Sequence, residues 1–229
     1  TVIYTTAGDA GRSDVYWSAR EQGVKDAYAL MAGEEEHDWV EETVRLQIGD
    51  HHTDLAGSYL ASQPDIRMYF LRLPDGFGEG TGSGTYGGQS LEQLWEGEIP
   101  EITAVDDSAT YTAPQLAATL TALINLHGPD NLHIQDHTSV HADIEHSDHI
   151  ATSSFVTVAA ETAAKPVTVI SYNSYATWGF EENLTEAEHG IREKPDRITL
   201  KPEGEFSRPH TSQWSEDLFD LVSLLPHRH

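Results

Sequence analysis

The chain contains no cysteine among its 229 residues. This absence excludes disulfide frameworks, cysteine-ligated zinc ribbons and a cysteine nucleophile together. Basic side chains are also scarce, because 13 lysines and arginines stand against 38 aspartates and glutamates, for a formal net charge of −25. A surface of this sign repels phosphate, so we expect no nucleic-acid partner. The sequence also has no apolar run of the roughly 18 residues that a membrane span needs, so no span is expected.

The acidic composition bears on the environment of the protein. A chain of this charge needs salt or bound cations to limit repulsion between its own carboxylates. The composition therefore favours an extracellular or high-salt setting, although an ordinary acidic soluble protein is an equally good interpretation. The same charge predicts that molar salt raises the melting temperature.

Alternating strand and helix patterns predict one α/β domain over residues 1–229 with a mainly parallel sheet. The β-branched segment TVIYTTA at residues 1–7 predicts a buried strand, and Gly8–Gly11 forms its turn. The segments WVEETVRLQI and IRMYFLRLP are strand-like, and the polar stretch between them is expected to be a connection. Residues 39–73 are therefore expected as a β-rich insertion. The segment SEDLFDLVSLL at residues 215–225 is predicted to be a terminal helix.

Capping residues delimit two of the predicted helices. The first helix has Ser13 or Asp14 as its N-cap and Gly33 near its end. The second has Thr112 as its N-cap, Pro114 in its first turn and Gly128 as its stop.

A glycine-rich segment follows the strand that ends near residue 73. It contains the formal dinucleotide pattern Gly82-x-Gly84-x-x-Gly87, but several loop residues separate that pattern from the strand, and the nucleotide fingerprint requires direct succession. We therefore expect the loop from Asp75 to Gly88 to lie at the rim of a pocket and to be mobile.

Histidines and carboxylates concentrate in the segment HADIEHSDHIATSSF at residues 141–155. His146 and His149 stand three residues apart at the start of a predicted helix, so they share a face. The helix macrodipole disfavours the cationic form of both rings, which keeps them neutral and able to bind a divalent metal. Asp148 is positioned to orient the rings as a hydrogen-bond acceptor. The alternative is a histidine-rich loop in solvent.

The position of this cluster along the chain favours a site. Ligands bind beyond the carboxyl ends of strands in open α/β sheets. The turn Gly8–Gly11 follows the first strand, and the histidine cluster follows a short strand at residues 131–136. Both turns are therefore expected to open onto the same rim.

Several segments together resemble the PIG-L/LmbE-type de-N-acetylases. The resemblance covers most of residues 1–195 and is carried, in this order, by TTAGDAGRSDVYWSAREQGVKDAYALMAG, FLRLPDG, SLEQLWEG, YTAPQLAATLTALI, EHSDHIA and NLT. Enzymes of that family are zinc-dependent and remove acetyl from N-acetylglucosamine. The resemblance implies a Rossmann-like three-layer fold, a Zn²⁺ or other divalent cofactor, and an N-acetylated sugar or glycan as substrate.

The resemblance also implies roles for individual residues. His149 would be a zinc ligand, and His146 would be catalytic, stabilising the tetrahedral intermediate and protonating the leaving amine. Asp9 and Arg20 match segments that line the sugar pocket and would contact substrate, with a tight turn and a surface charge as the alternatives.

One family hallmark, a His-Pro-Asp-Asp segment that supplies further zinc ligands and the general base, is absent from the chain. We expect an N-terminal segment or an additional chain to supply that segment and to complete the sheet. Two alternatives are a non-catalytic glycan-binding or structural protein on the same scaffold and a cation-dependent structural protein.

Overall fold

The structure is a computed structural model that describes residues 1–34, 38–138, 145–175 and 177, together with the backbone of 221–225. The helices are α1 (Asp14–Met31), α2 (Leu91–Glu96), α3 (Ala113–His127) and α4 (Ser147–Glu161). The strands are β1 (Val2–Thr6), β2 (Trp39–Ile48), β3 (His51–Leu60), β4 (Gln63–Leu73), β5 (Ile102–Thr103), β6 (Thr110–Tyr111), β7 (Asn131–Gln135), β8 (Thr168–Tyr172) and β9 (Leu221–Leu225).

Seven strands form one mixed sheet in the order β2-β3-β4-β1-β9-β7-β8, and β5 pairs with β6 separately. Among the described strands of the main sheet, only the β1–β4 and β7–β8 pairs are parallel. The other four pairs are antiparallel. The prediction of a mainly parallel, Rossmann-like three-layer fold of the LmbE type is therefore wrong.

Residues 39–73 are the first reason for the mixed sheet. They form β2, β3 and β4, which belong to the main sheet and are not an insertion in it. A two-residue connection at Gly49 and Asp50 joins β2 to β3, and these two strands pair over ten positions. Such short connections make neighbouring strands antiparallel, because parallel neighbours need a crossover. The polar start of β3, His51-His52-Thr53-Asp54, concealed this strand in the sequence.

The strand β9 is the second reason. It lies between β1 and β7 and is antiparallel to both. The predicted helix over 215–225 is therefore wrong for residues 221–225. Placed between two buried strands, this segment satisfies backbone N–H and C=O groups on both sides, which outweighs a weak local preference for helix.

The helix α1 follows its N-cap Ser13 and is succeeded by Gly33 at φ 84°, as its sequence predicts. Val24 and Tyr28 of this helix pack against Val2 and Tyr4 of β1. One face of the sheet is thereby covered at its centre.

The helix α3 begins with a capping box, in which Thr112 and Gln115 exchange hydrogen bonds, and it ends at Gly128 with φ 55°. These caps confirm the predicted boundaries. The helices α2, α3 and α4 contribute to the larger core, together with Ile3 and Leu132 of the sheet. No helix in the described part of the chain is both long and apolar enough to cross a membrane.

Candidate metal centre

The parallel pair β1–β4 sets the position of the site. Because the two strands run in the same direction, their carboxyl ends meet at one edge, where the Ala7 N–H donates to the Leu73 carbonyl at 2.8 Å. The loop Gly8–Gly11 and the loop that begins at Asp75 leave this edge side by side. The N-terminus of α4 lies on the second loop, since the Ser147 hydroxyl donates to the Phe77 carbonyl at 2.6 Å.

Two aspartates fasten these loops to each other. Asp9 has no exposed surface, and its carboxylate accepts hydrogen bonds from the backbone N–H groups of Gly11 and Asp75, each at 2.7 Å. The Asp75 carboxylate accepts in return from the Ala10 N–H at 3.2 Å and from the Phe77 N–H at 2.8 Å. Burial raises the pKa of Asp9, while these backbone donors act in the opposite direction.

The same bonds hold two strained residues. Ala10 has φ 49° and Phe77 has φ 58°, in the left-handed region that side chains other than glycine rarely adopt. Such conformations cost roughly 1–3 kcal/mol each and persist where the surroundings over-determine them. The two loops are therefore held in a fixed arrangement at the edge of the sheet.

His146 caps the helix α4. Its Nδ1 accepts a hydrogen bond from the Asp148 backbone N–H at 3.2 Å, and its Nε2 lies 3.7 Å from Asp75 Oδ1. Asp148 is buried, its Oδ2 lies 3.8 Å from His146 Nδ1, and that oxygen accepts from the Gly76 N–H at 2.9 Å. One imidazole and two carboxylates thus meet where the loop after β4 contacts α4.

These three residues form a group that could hold a metal ion. Asp75, His146 and Asp148 each offer one ligand atom, and those atoms all lie within 4.8 Å of one another. Atoms bound to one zinc ion at about 2.1 Å each stand at most about 4.2 Å apart, so small side-chain movements would close the group on an ion. Imidazole nitrogen and carboxylate oxygen are both ligands that zinc and other divalent metals accept, so the donor set fits.

The helix cap determines which nitrogen of the neutral His146 ring carries the hydrogen. A neutral imidazole has one nitrogen lone pair, and the Asp148 N–H occupies it at Nδ1. The hydrogen of the neutral ring is then on Nε2, on the side of Asp75. An ion bound to either nitrogen would replace the cap, so ligation and capping by His146 exclude each other.

His149 lies beside this group and is not a member of it. Its ring centroid is 5.3 Å from that of His146, and its Nδ1 is 2.6 Å from Glu145 Oε1. The second oxygen of Glu145 accepts from the Ser174 and Tyr175 N–H groups at 3.2 and 3.1 Å. Burial acts to raise the pKa of Glu145, but its bonds to His149 and to the backbone outweigh burial and lower it. The assignment of His149 as a zinc ligand stays a prediction.

The predicted substrate residues are close to the same edge. The Arg20 guanidinium lies over Gly8, where a Cβ would come within 2.8 Å of Arg20 Nε. Gly8 also has φ 57°, so this position suits glycine on two counts. The Asp9 carboxylate, in contrast, accepts hydrogen bonds from the backbone of both loops, as expected if its segment is simply a tight turn. Substrate contact by Asp9 and Arg20 stays a prediction.

Asp75 was not predicted as a site residue, although its loop was expected at the rim of a pocket. The start of the loop contacts α4 through Gly76 and Phe77; the position of the loop at a pocket rim and its mobility stay predictions. The sequence carries a signal for Asp75, since this residue follows a strand and ligands bind beyond the carboxyl ends of strands. The upstream histidine His141 lies outside the described residues.

No protein-family model, no curated protein and no solved structure matches this chain.

Proposed function

We propose that the chain binds a divalent metal ion, in the first instance zinc, and hydrolyses the acetyl amide of an N-acetylated amino sugar. The observation that carries the proposal is the meeting of Asp75, His146 and Asp148 within 4.8 Å. These residues belong to LPDG and EHSDH, two of the segments that resemble the PIG-L/LmbE-type enzymes, and Asp9 of a third segment is hydrogen-bonded to Asp75. Segments that carry the resemblance from distant parts of the chain therefore share one edge of the sheet.

A bound divalent ion supplies Lewis acidity that polarises an amide carbonyl. Hydrolysis adds water to the amide carbonyl and breaks the C–N bond, and the leaving amine must take up a proton. A neutral imidazole is too weak an acid to supply it, so His146 would give up the cap at Nδ1 and carry a hydrogen on both nitrogens. His146 fills this role only while neither of its nitrogens is bound to the ion. The ion would then depend on Asp75 and Asp148, with His149 as the neighbouring imidazole.

A non-catalytic scaffold that binds glycans is the second candidate, and one observation favours it. The carboxylates of Asp9, Asp75 and Asp148 all accept backbone N–H groups of the surrounding loops. These bonds account for the burial of Asp9 and Asp148 and the partial burial of Asp75 without an ion or a reaction. The two candidates differ in whether the site takes up metal.

Metal uptake is the first test. Purified protein is dialysed against zinc at equal free concentrations, and bound zinc is measured by elemental analysis. We expect about one ion per chain, with a marked loss in Asp75→Asn and Asp148→Asn, because the ion depends on these two carboxylates. His133→Ala is the matched control, because His133 is paired with Tyr172 on β7 and β8 and should leave zinc content unchanged. Zinc content that is equal in all four proteins would contradict the metal centre.

Acetate release is the second test. The zinc-loaded protein is incubated with N-acetylglucosamine oligosaccharides, and acetate and free amine are quantified together. We expect both products in equal amounts and neither in Asp75→Asn. Saturating binding of the oligosaccharide without acetate would exclude the hydrolase and support the glycan-binding scaffold.

A further inference from the structure

Arg12 differs from four other described basic residues in its partner. Four other basic side chains, namely Lys25, Arg45, Arg67 and Arg72, form ion pairs with carboxylates. Arg12 is exposed and has no ion pair among the described residues, although acidic side chains outnumber basic ones almost threefold in this chain. Its guanidinium lies 4.5 Å from the centroid of the Tyr16 ring instead.

A second guanidinium lies against the same ring. The Cζ atom of Arg20 is 5.9 Å from the Tyr16 centroid, and Arg20 also covers Gly8 at the edge of the candidate metal centre. Tyr16 and Arg20 are four residues apart in α1 and so share one side of the helix, and Arg12 lies two residues before α1 begins. Two cations therefore flank one aromatic ring beside the site.

The backbone of Arg12 is held while its side chain is exposed. The Arg12 N–H donates to the Asp9 carbonyl at 2.8 Å, and the Arg12 carbonyl accepts from the Tyr86 hydroxyl at 2.6 Å. The ring below the guanidinium restrains it further through a cation–π contact. This arrangement positions the charge in advance, which reduces the entropy lost when a ligand binds.

The electrostatic setting defines the ligand. A chain with a net charge of −25 repels anions overall, so an anionic ligand needs a local group of cations to bind. Guanidinium groups bind carboxylate, sulfate and phosphate through two parallel hydrogen bonds, and such charge-assisted bonds are stronger than neutral ones. The exposed arginine is thus suited to an oxyanion carried by a ligand that also reaches the metal centre.

We propose that Arg12, Tyr16 and Arg20 form a subsite for an oxyanion on the amino sugar, so that the substrate is an acidic sugar. This inference rests on the proposed function for the sugar itself. The oxyanion, whether sulfate, phosphate or carboxylate, contacts both guanidinium groups, and the sugar extends from them toward Asp75 and His146.

The test is an equilibrium titration by calorimetry at one fixed salt concentration. The probes are N-acetylglucosamine, N-acetylglucosamine 6-sulfate and sodium sulfate. We expect the sulfated sugar to bind about tenfold more tightly than the neutral sugar, which is the scale of one charge-assisted hydrogen bond. Arg12→Ala should remove this preference, and Arg12→Lys should retain part of it. Arg45→Ala, which removes an exposed arginine paired with Asp54 on the β2–β3 hairpin, should leave it unchanged.

Equal Kd values for the two sugars in the unaltered protein, or a preference that survives in Arg12→Ala, would overturn the inference. Sodium sulfate that binds as tightly as the sulfated sugar would also overturn it, since the anion would then be bound without the sugar. The measurement involves no turnover. A preference for the sulfated sugar in a protein that releases no acetate would therefore contradict the proposed hydrolase and leave the subsite standing.

Discussion

Replacing Gly76 with alanine should damage the fold and the candidate metal centre together. A Cβ at this buried position would come within 2.7 Å of Asp148 Oδ1, 2.9 Å of Ser90 Cβ and 3.0 Å of Ser147 Oγ. Two of these atoms belong to the first turn of α4, which must move away from the loop to admit a methyl group. Such overpacking costs typically about 1–3 kcal/mol. For a protein of this size, that cost lowers the melting temperature by roughly 2–10 °C.

Gly78→Ala is the matched control. A Cβ at Gly78 would have no atom within 4 Å, and the residue is exposed, only two positions from Gly76. The added methyl group should leave stability unchanged or raise it by up to about 1 kcal/mol, through lower entropy of the unfolded chain. Urea unfolding and zinc titration are then compared for both variants. Equal free energies of unfolding in Gly76→Ala and Gly78→Ala would refute the argument. Unaltered zinc affinity in Gly76→Ala would also refute it.

Three further predictions follow from charge and burial. Burial lowers the pKa of His127 to about 4, so between pH 6.5 and 4 the unfolded chain binds a proton that the folded chain does not. The free energy of unfolding should therefore decrease as the pH is lowered through this range, and it should decrease less steeply in His127→Gln. Arg72→Lys should cost about 1–3 kcal/mol in urea unfolding, because lysine cannot reproduce the two-pronged bond to Glu21, whereas Arg45→Lys on the exposed hairpin should leave the free energy of unfolding almost unchanged. The melting temperature should rise clearly between low and molar NaCl, and a flat profile in calorimetry would indicate carboxylates already neutralised by bound cations.

Local signals in the sequence were sufficient for the helices that carry caps. Thr112 and Gly128 delimit α3, because Thr112 bonds the first turn and Gly128 adopts the left-handed conformation that ends the helix. Ser13 stands at the N-cap of α1 without a side-chain bond to the helix, and Gly33 follows the C-cap Ala32. The sheet order could not be obtained in this way. Whether residues 221–225 become a strand depends on two partners far away in the chain, and the five-residue pattern LVSLL suits either state.

In the candidate site, too, local features could be predicted from the sequence and contacts between distant segments could not. His146 at the mouth of α4 was predictable, because a helix start and a strand end are both local features. The partnership of His146 with Asp75 was not, since it requires β4 to lie beside β1, and only the paired backbone establishes that neighbourhood. The hydrogen bond between Glu145 and His149 could have been predicted from the sequence, because the two residues are four apart where α4 begins.

The placement of β9 has a consequence for the order in which the protein forms. Residues 221–225 separate β1 from β7, so the two parts of the sheet cannot be joined until this late segment is synthesised and inserted. Contacts between residues so distant in sequence are slow to form, and until then both strands have open edges that can pair with other chains. We expect folding to be slow and to end with this insertion, and we expect nascent chains that stop before residue 221 to aggregate while they retain α1 and the β2–β3 hairpin.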